Sequence, residues 1–405
     1  MEKIDQCFLA ALRAALRGEQ TDPELSREEW IALLNLAHTH KVLPLILDAV
    51  HAAPSFQSLG DAALQQLRRQ VRQQVMLQSV RTEEFLALNR ALREAGIRPL
   101  VVKGLICREL YPKPDYRLSG DEDVLVEPEL FARCCEMMAG LGLEGASQKP
   151  DDYEIPFRKP GSPLYIELHR FLFPPESEAY GHWNEFFLGA FDGAVEMDFR
   201  GSRVLTMAPA EHMLYLICHA MKHFLHSGFG IRQVCDMVLF ARRNASAVDW
   251  NRVIAGCETI RGVKFAAAVF RIGEKHLEIP MPEAFRSVAV EEGAMLEDLL
   301  RGGLYGDSTL SRKHSSSITL DAAAAQKQGT RPRGALRTSL FPSAEALAGK
   351  YPYLREKPWL VPVAWCQRLW RYALETRETE DNSAAEALKI GADRVELMRQ
   401  YDILD

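Results

Sequence analysis

The chain has 405 residues, 47% hydrophobic and 26% charged, a balance that excludes collagen-like, disordered and disulfide-scaffold proteins. At about 150 residues per domain it makes roughly two to three domains, long enough to bury a core without disulfides or a structural metal. Lys+Arg number 49 against 55 Asp+Glu, a net charge of −6 that argues against non-specific binding to nucleic acid or anionic lipid.

The eight cysteines form no C-x-x-C pair and mostly lie in apolar runs, so they read as buried thiols of a reducing compartment. Charges recur through the first twenty residues, unlike a signal peptide. No apolar run reaches the roughly 18 residues of a membrane span. The expected location is the cytoplasm, with no membrane partner.

Residues 1–97 read as a helical region. Ser26 and Glu29 form an S-x-x-E capping box ahead of Trp30, Leu33, Leu34 and Ala37 on one face. A longer helix is predicted from Asp61 to Ala95, stopped by Gly96. From residue 98 to 206 the pattern is that of a small α+β unit. The run before Gly104 and the run Asp121–Val126 read as strands, and Pro128 opens a helix through about Ala139. Tyr153–Arg158 and Leu164–Arg170 read as a hairpin. Residues 207–305 return to helix, starting at Pro209, and are expected to form a cleft wall. Residues 306–340, rich in Ser, Gly, Ala, Lys and Arg, read as a mobile basic loop whose Arg312, Lys313, Arg331 and Arg333 face solvent or close over an anionic substrate. Helices are expected again over 341–405. The aromatic stretch at Trp359, Trp365 and Trp370 reads as a packing helix, with a membrane-surface helix as the alternative.

The chemistry concentrates at Ser119-Gly120-Asp121-Glu122-Asp123. Side chains alternate along a strand, so Asp121 and Asp123 share one face, about 7 Å apart, and Glu122 takes the other. Paired carboxylates beside a glycine suit a hard divalent cation; solvated acids at a strand end are the plain alternative. Lys103-Gly104 lies at a strand-to-helix junction, where backbone N–H groups receive phosphate. Arg117 precedes Asp121 by four residues. In the strand YIELH, Tyr165, Glu167 and His169 share a face.

The run LVVKGLICRELYPKPDYRLSGDEDVLV followed by YIELH resembles the catalytic core of the polymerase-beta-type nucleotidyltransferase superfamily, and more narrowly an uncharacterised bacterial nucleotidyltransferase family. HAMKHF, GIRQVCDM and KPWLVPVAW resemble that family too, though 85–245 carries most of the likeness. The resemblance implies a small mixed-sheet nucleotidyltransferase core flanked by N-terminal and C-terminal helical regions. It implies Asp121, Asp123 and Glu167 as catalytic metal ligands for two Mg2+ (or Mn2+) ions. Gly104 takes the place of the glycine in the superfamily's G-S turn; Leu105 stands where that turn has serine, and Glu122 where an apolar residue is usual. Lys103, Arg117, Ser119, Gly120 and His169 are then nucleotide-binding candidates.

Pro209 opens a helix on which His212, His219, His223 and His226 fall within a stripe roughly 60° wide. It reads first as a polar stripe facing a cleft or solvent, next as a nucleotide or acceptor contact through His219 and His223, and last as a zinc site. Asp236 follows Arg232 at i+4, the spacing of a helical ion pair. The resulting expectation is a metal-dependent transferase moving a nucleoside monophosphate from a triphosphate, ATP by first choice, to an unidentified acceptor hydroxyl, with pyrophosphate released. The alternative is a non-catalytic nucleotide-sensing or partner-binding module of the same fold.

Overall fold

A computed structural model describes residues 1–146, 152–303, 310–328, 344, 347, 351–378 and 384–405. The chain divides into two compact units. The first is built of Met1–Cys218 and Arg232–Ala289, the second of His219–Ile231 and Val290–Asp405.

The first unit opens with helices α1 (Lys3–Arg17), α2 (Arg27–Thr39), α3 (Leu43–Val50), α4 (Pro54–Gln57) and α5 (Asp61–Glu94). Both halves of the expected capping box form: the Glu29 amide donates to the Ser26 hydroxyl, and the Ser26 amide donates to the Glu29 carboxylate. Trp30, Leu33 and Ala37 are buried as the periodicity requires. Helix α5 stops where Gly96 takes φ 77°.

A seven-stranded mixed sheet follows, in the order β3-β4-β5-β2-β1-β7-β6. Its strands are β1 (Leu100–Val102), β2 (Glu122–Leu125), β3 (Glu144–Gly145), β4 (Glu154–Arg158), β5 (Tyr165–His169), β6 (Val195–Phe199) and β7 (Ser202–Thr206). The pairs β1/β7 and β2/β5 run parallel, the others antiparallel. The fold is therefore α+β with helical flanks, as expected. The short helix α6 (Gly104–Arg108) links β1 towards β2, and α7 (Phe131–Gly140) leads towards β3. Val124, Ile166 and Leu168 share the buried face of β2 and β5 with Glu122. Helix α8 (Pro209–His226) follows β7 closely, and β7 pairs with β1 at Leu205 and Leu100. Helices α9 (Ile231–Arg243), α10 (Trp250–Thr259) and α11 (Val263–Leu277) complete the unit.

In the second unit, the basic loop expected over 306–340 contains helix α13 (Leu310–Gln328), preceded by α12 (Gly293–Gly302). Its buried positions are Arg312, Ser315, Ile318, Thr319, Ala322 and Ala325. That spacing is helical, but the residues are mostly polar or small, so the apolar period is weak. Ile318 packs against Gly391 on the helix Ala384–Gln400, where a Cβ would meet Ile318 Cδ1 at 2.5 Å. Arg312, expected in that loop, is buried and paired with Asp298 at 2.7 Å. The side chain of Lys313, and Arg331 and Arg333, lie outside the described residues. Val361–Glu378 is helical, with Trp359 and Trp370 exposed.

Candidate functional site

Strand register assembles the site. Asp123 on β2 lies directly beside Glu167 on β5 and beside Val102 on β1. His169 follows Glu167 by two residues, so it projects from the same face, opposite Glu154 of β4. One ligand atom each from Asp123, Glu167 and His169 fall within 4.8 Å of one another. His169 Nε2 lies 3.5 Å from Asp123 Oδ1, and its Nδ1 lies 3.6 Å from Glu154 Oε2. Lys103 Nζ stands 2.9 Å from Asp123 Oδ2 and 3.9 Å from Asp121 Oδ2. Glu154 was not evident from sequence; its only signal was its position in the hairpin opposite His169.

The electrostatics follow from four carboxylates around two cationic groups. Burial and the neighbouring Asp123, Asp121 and Glu154 charges push the Glu167 carboxyl up to about 7. Asp123 is also buried, which opposes its ionisation. The Lys103 ammonium and His169 outweigh that and hold it well below the usual carboxylate range. Burial disfavours the His169 imidazolium, but Asp123 and Glu154 outweigh the burial and raise its pKa.

This donor set fits a divalent cation. Both His169 ring nitrogens are buried without a hydrogen bond, although carboxylates lie near each. Two carboxylates with an imidazole can hold one such ion, and the carboxylate beyond the imidazole can orient it. His169, expected at the nucleotide, lies with Asp123 and Glu167 in this cluster, while Asp121 lies beside Lys103 just ahead of β2.

Several expected nucleotide contacts are turned inward. Arg117 is buried and forms a two-pronged pair with Asp236, Nε to Oδ1 at 3.1 Å and Nη2 to Oδ2 at 2.5 Å. Tyr111 Oη donates to the same carboxylate at 2.8 Å. Asp236 therefore belongs to Arg117 rather than to an i+4 pair with Arg232, which donates to the Leu118 carbonyl. Ser119 Oγ accepts from Arg108 at 2.6 Å, and its amide donates to Gln78 at 2.8 Å. Glu122, which broke the expected apolar pattern, is buried against Arg108 at 2.7 Å. The Leu105 amide donates to Glu122 at 3.1 Å, and the Lys103 amide donates to His212 Nε2 at 3.1 Å. Two N–H groups expected to cradle phosphate are thus spent on internal acceptors. Gly120 is exposed, with open space around its Cα.

The histidine stripe divides. His212 is fully buried in the first unit. His219 and His223 belong to the second, their Nε2 atoms 3.3 Å apart. Burial pushes His226 down to about 4.

Among the described residues, no helix is long and apolar enough to cross a membrane. No curated protein matches the chain. The crystal structure of an antigenic nucleotidyltransferase-like protein from Paracoccidioides brasiliensis is similar at 12% identity and TM-score 0.31, over 51% of this chain and 93% of that one. A family model described as uncharacterised nucleotidyltransferase matches residues 26–277, more than half of the chain, and the chain belongs to that family.

Proposed function

We propose that this protein transfers a nucleoside monophosphate from a triphosphate, ATP by first choice, to an acceptor hydroxyl with release of pyrophosphate. The observation that supports it is the closure of Asp123, Glu167 and His169 on one another, with Asp121 and Lys103 at their side. Asp123, Glu167 and His169 would hold a divalent cation, Mg2+ or Mn2+, with Asp121 available to a second. Bound there, such ions neutralise phosphate charge and stabilise the entering and leaving oxygens of an in-line displacement.

The chain's own groups do the rest. Lys103, buried to its ammonium, offers a positive charge that can move from Asp123 to a phosphate oxygen. Glu167, beside Asp123 in the strand register, is the carboxylate available to accept the acceptor's hydroxyl proton. Gly120, exposed and with nothing near where a Cβ would stand, leaves room for nucleotide beside the carboxylates. The Gly104 turn serves the site through shape, because its flanking amides are taken. The protein works in the cytoplasm, where its buried thiols stay reduced.

One observation favours the non-catalytic alternative, a nucleotide-sensing module. Lys103 and His169 already neutralise Asp123 without metal. Incubation with each α-labelled triphosphate, Mg2+ and cell extract separates the two. Labelled acceptor with released pyrophosphate, abolished by Asp123→Asn, supports transfer. Tight triphosphate binding with no labelled product in any extract supports sensing.

A further inference from the structure

The Lys103 backbone adopts φ 56° and ψ −107° at the junction of β1 and α6. A residue with a Cβ pays about 1–3 kcal/mol for such a conformation, so its surroundings must enforce it. Both backbone polar groups of Lys103 are held. Its carbonyl accepts from the Cys107 amide at 2.8 Å, and its amide donates to His212 Nε2 at 3.1 Å. His212 lies fully buried on the first turn of α8.

The hydrogens along this chain can be assigned without ambiguity. A backbone N–H only donates, so His212 Nε2 carries a lone pair. Thr206 Oγ1 lies 2.7 Å from the Val101 carbonyl, which only accepts, so the threonine hydrogen is used there. His212 Nδ1, 3.2 Å from the same oxygen, must then donate its own hydrogen to it. The imidazole is neutral and carries its proton on Nδ1. Burial agrees, pushing its pKa down to about 3. Four groups, from β1, the β1–α6 junction, β7 and α8, thus form one directed relay: Lys103 N–H to His212, His212 to Thr206, Thr206 to Val101.

We infer that His212 is a positioning residue for the candidate site: its neutral imidazole holds the Lys103 backbone in the left-handed conformation that aims the ammonium at Asp123. The role in nucleotide binding rests on the proposed function; the role in fixing Lys103 does not. Without the imidazole acceptor, the Lys103 amide is buried unpaired, and the turn relaxes towards ordinary φ. The ammonium would then leave Asp123, where it lies 2.9 Å away. His212 touches neither the carboxylates nor any reacting atom in this scheme; it acts through Lys103.

Two measurements test this. Long-range imidazole 15N spectra of the full-length protein should show His212 protonated on Nδ1 alone at neutral pH. A proton on Nε2, or an imidazolium there, overturns the inference. The second is calorimetric titration with the magnesium complex of a non-hydrolysable ATP analogue. His212→Leu should weaken binding by about tenfold, and His212→Gln, whose amide oxygen can accept from Lys103 N–H, by no more than about threefold. In a Lys103→Met background, His212→Leu should add less than about twofold. Equal losses in both backgrounds overturn the positioning role. If the unsubstituted protein binds no analogue, the nucleotide reading fails. The 15N spectra and the non-additivity of His212→Leu and Lys103→Met in thermal melting then decide the inference alone, additive melting contradicting it.

Discussion

Gly104 and Glu122 are locked together at the strand-to-helix turn: a Cβ built on Gly104 would meet Glu122 Oε2 at 2.5 Å. The same oxygen accepts the Leu105 amide, and Oε1 pairs with Arg108. The glycine is thus required by a buried carboxylate, whatever its relation to a nucleotide. Gly104→Ala should cost about 1–3 kcal/mol, because Glu122 must leave the Leu105 amide or the turn must open. Chemical denaturation measures it; an unchanged midpoint would show that Glu122 yields freely.

The Arg108–Glu122 pair is fully buried, so breaking it should cost more than deleting it. Arg108→Met alone leaves an uncompensated carboxylate and should cost roughly 3–5 kcal/mol. Arg108→Met with Glu122→Leu should cost clearly less than the sum of the single changes. Equilibrium unfolding of the three variants gives the coupling, and additive losses would refute it.

Glu167 makes a pH-dependent contribution whose sign can be worked out. Its folded pKa, about 7, lies above the ordinary 4.5. The proton is therefore held more tightly in the folded state, and that stabilisation is lost as pH rises from about 4.5 to 7. Glu167→Gln should leave stability nearly unchanged at about pH 4.5 but raise it by roughly 1–3 kcal/mol at about pH 8. Melting temperatures across this range test it; a stabilisation independent of pH would contradict it.

Metal binding should show the complementary dependence. A cation needs Glu167 ionised and His169 neutral, so both lose protons on binding. Mn2+ affinity should rise steeply between about pH 5 and 7, and binding should release protons. Calorimetry in buffers of different ionisation enthalpy counts them. Affinity that is flat over this range would place the ion elsewhere.

Much of this arrangement was legible in the sequence. Alternation in DEDVLV and YIELH put Asp121 and Asp123 on one face and Glu167 with His169 on another strand, and the register then joined them. Helix α2 was legible because its caps are local. What stayed hidden depends on partners far along the chain. Arg117 looked available because Asp236 lies 119 residues away. Glu122 looked misplaced because nothing local announces that Arg108 is buried with it. The His stripe was correctly placed on α8, but spacing cannot show that His212 turns into the core to meet Lys103. Helix α13 escaped because its described buried positions put polar Arg312, Ser315 and Thr319 beside Ile318 and two alanines, which leaves its hydrophobic period weak.

Asp123, Glu167 and His169 are proposed to form a metal-dependent triphosphate site. The most direct measurement is calorimetric titration of the purified full-length protein with ATP, with and without Mg2+ or Mn2+, alongside Asp123→Asn and Glu167→Gln. The predicted result is binding that requires the cation and weakens by about tenfold or more in each variant, while both still melt cooperatively. No cation-dependent binding at millimolar ATP, or equal binding in both variants, would contradict it.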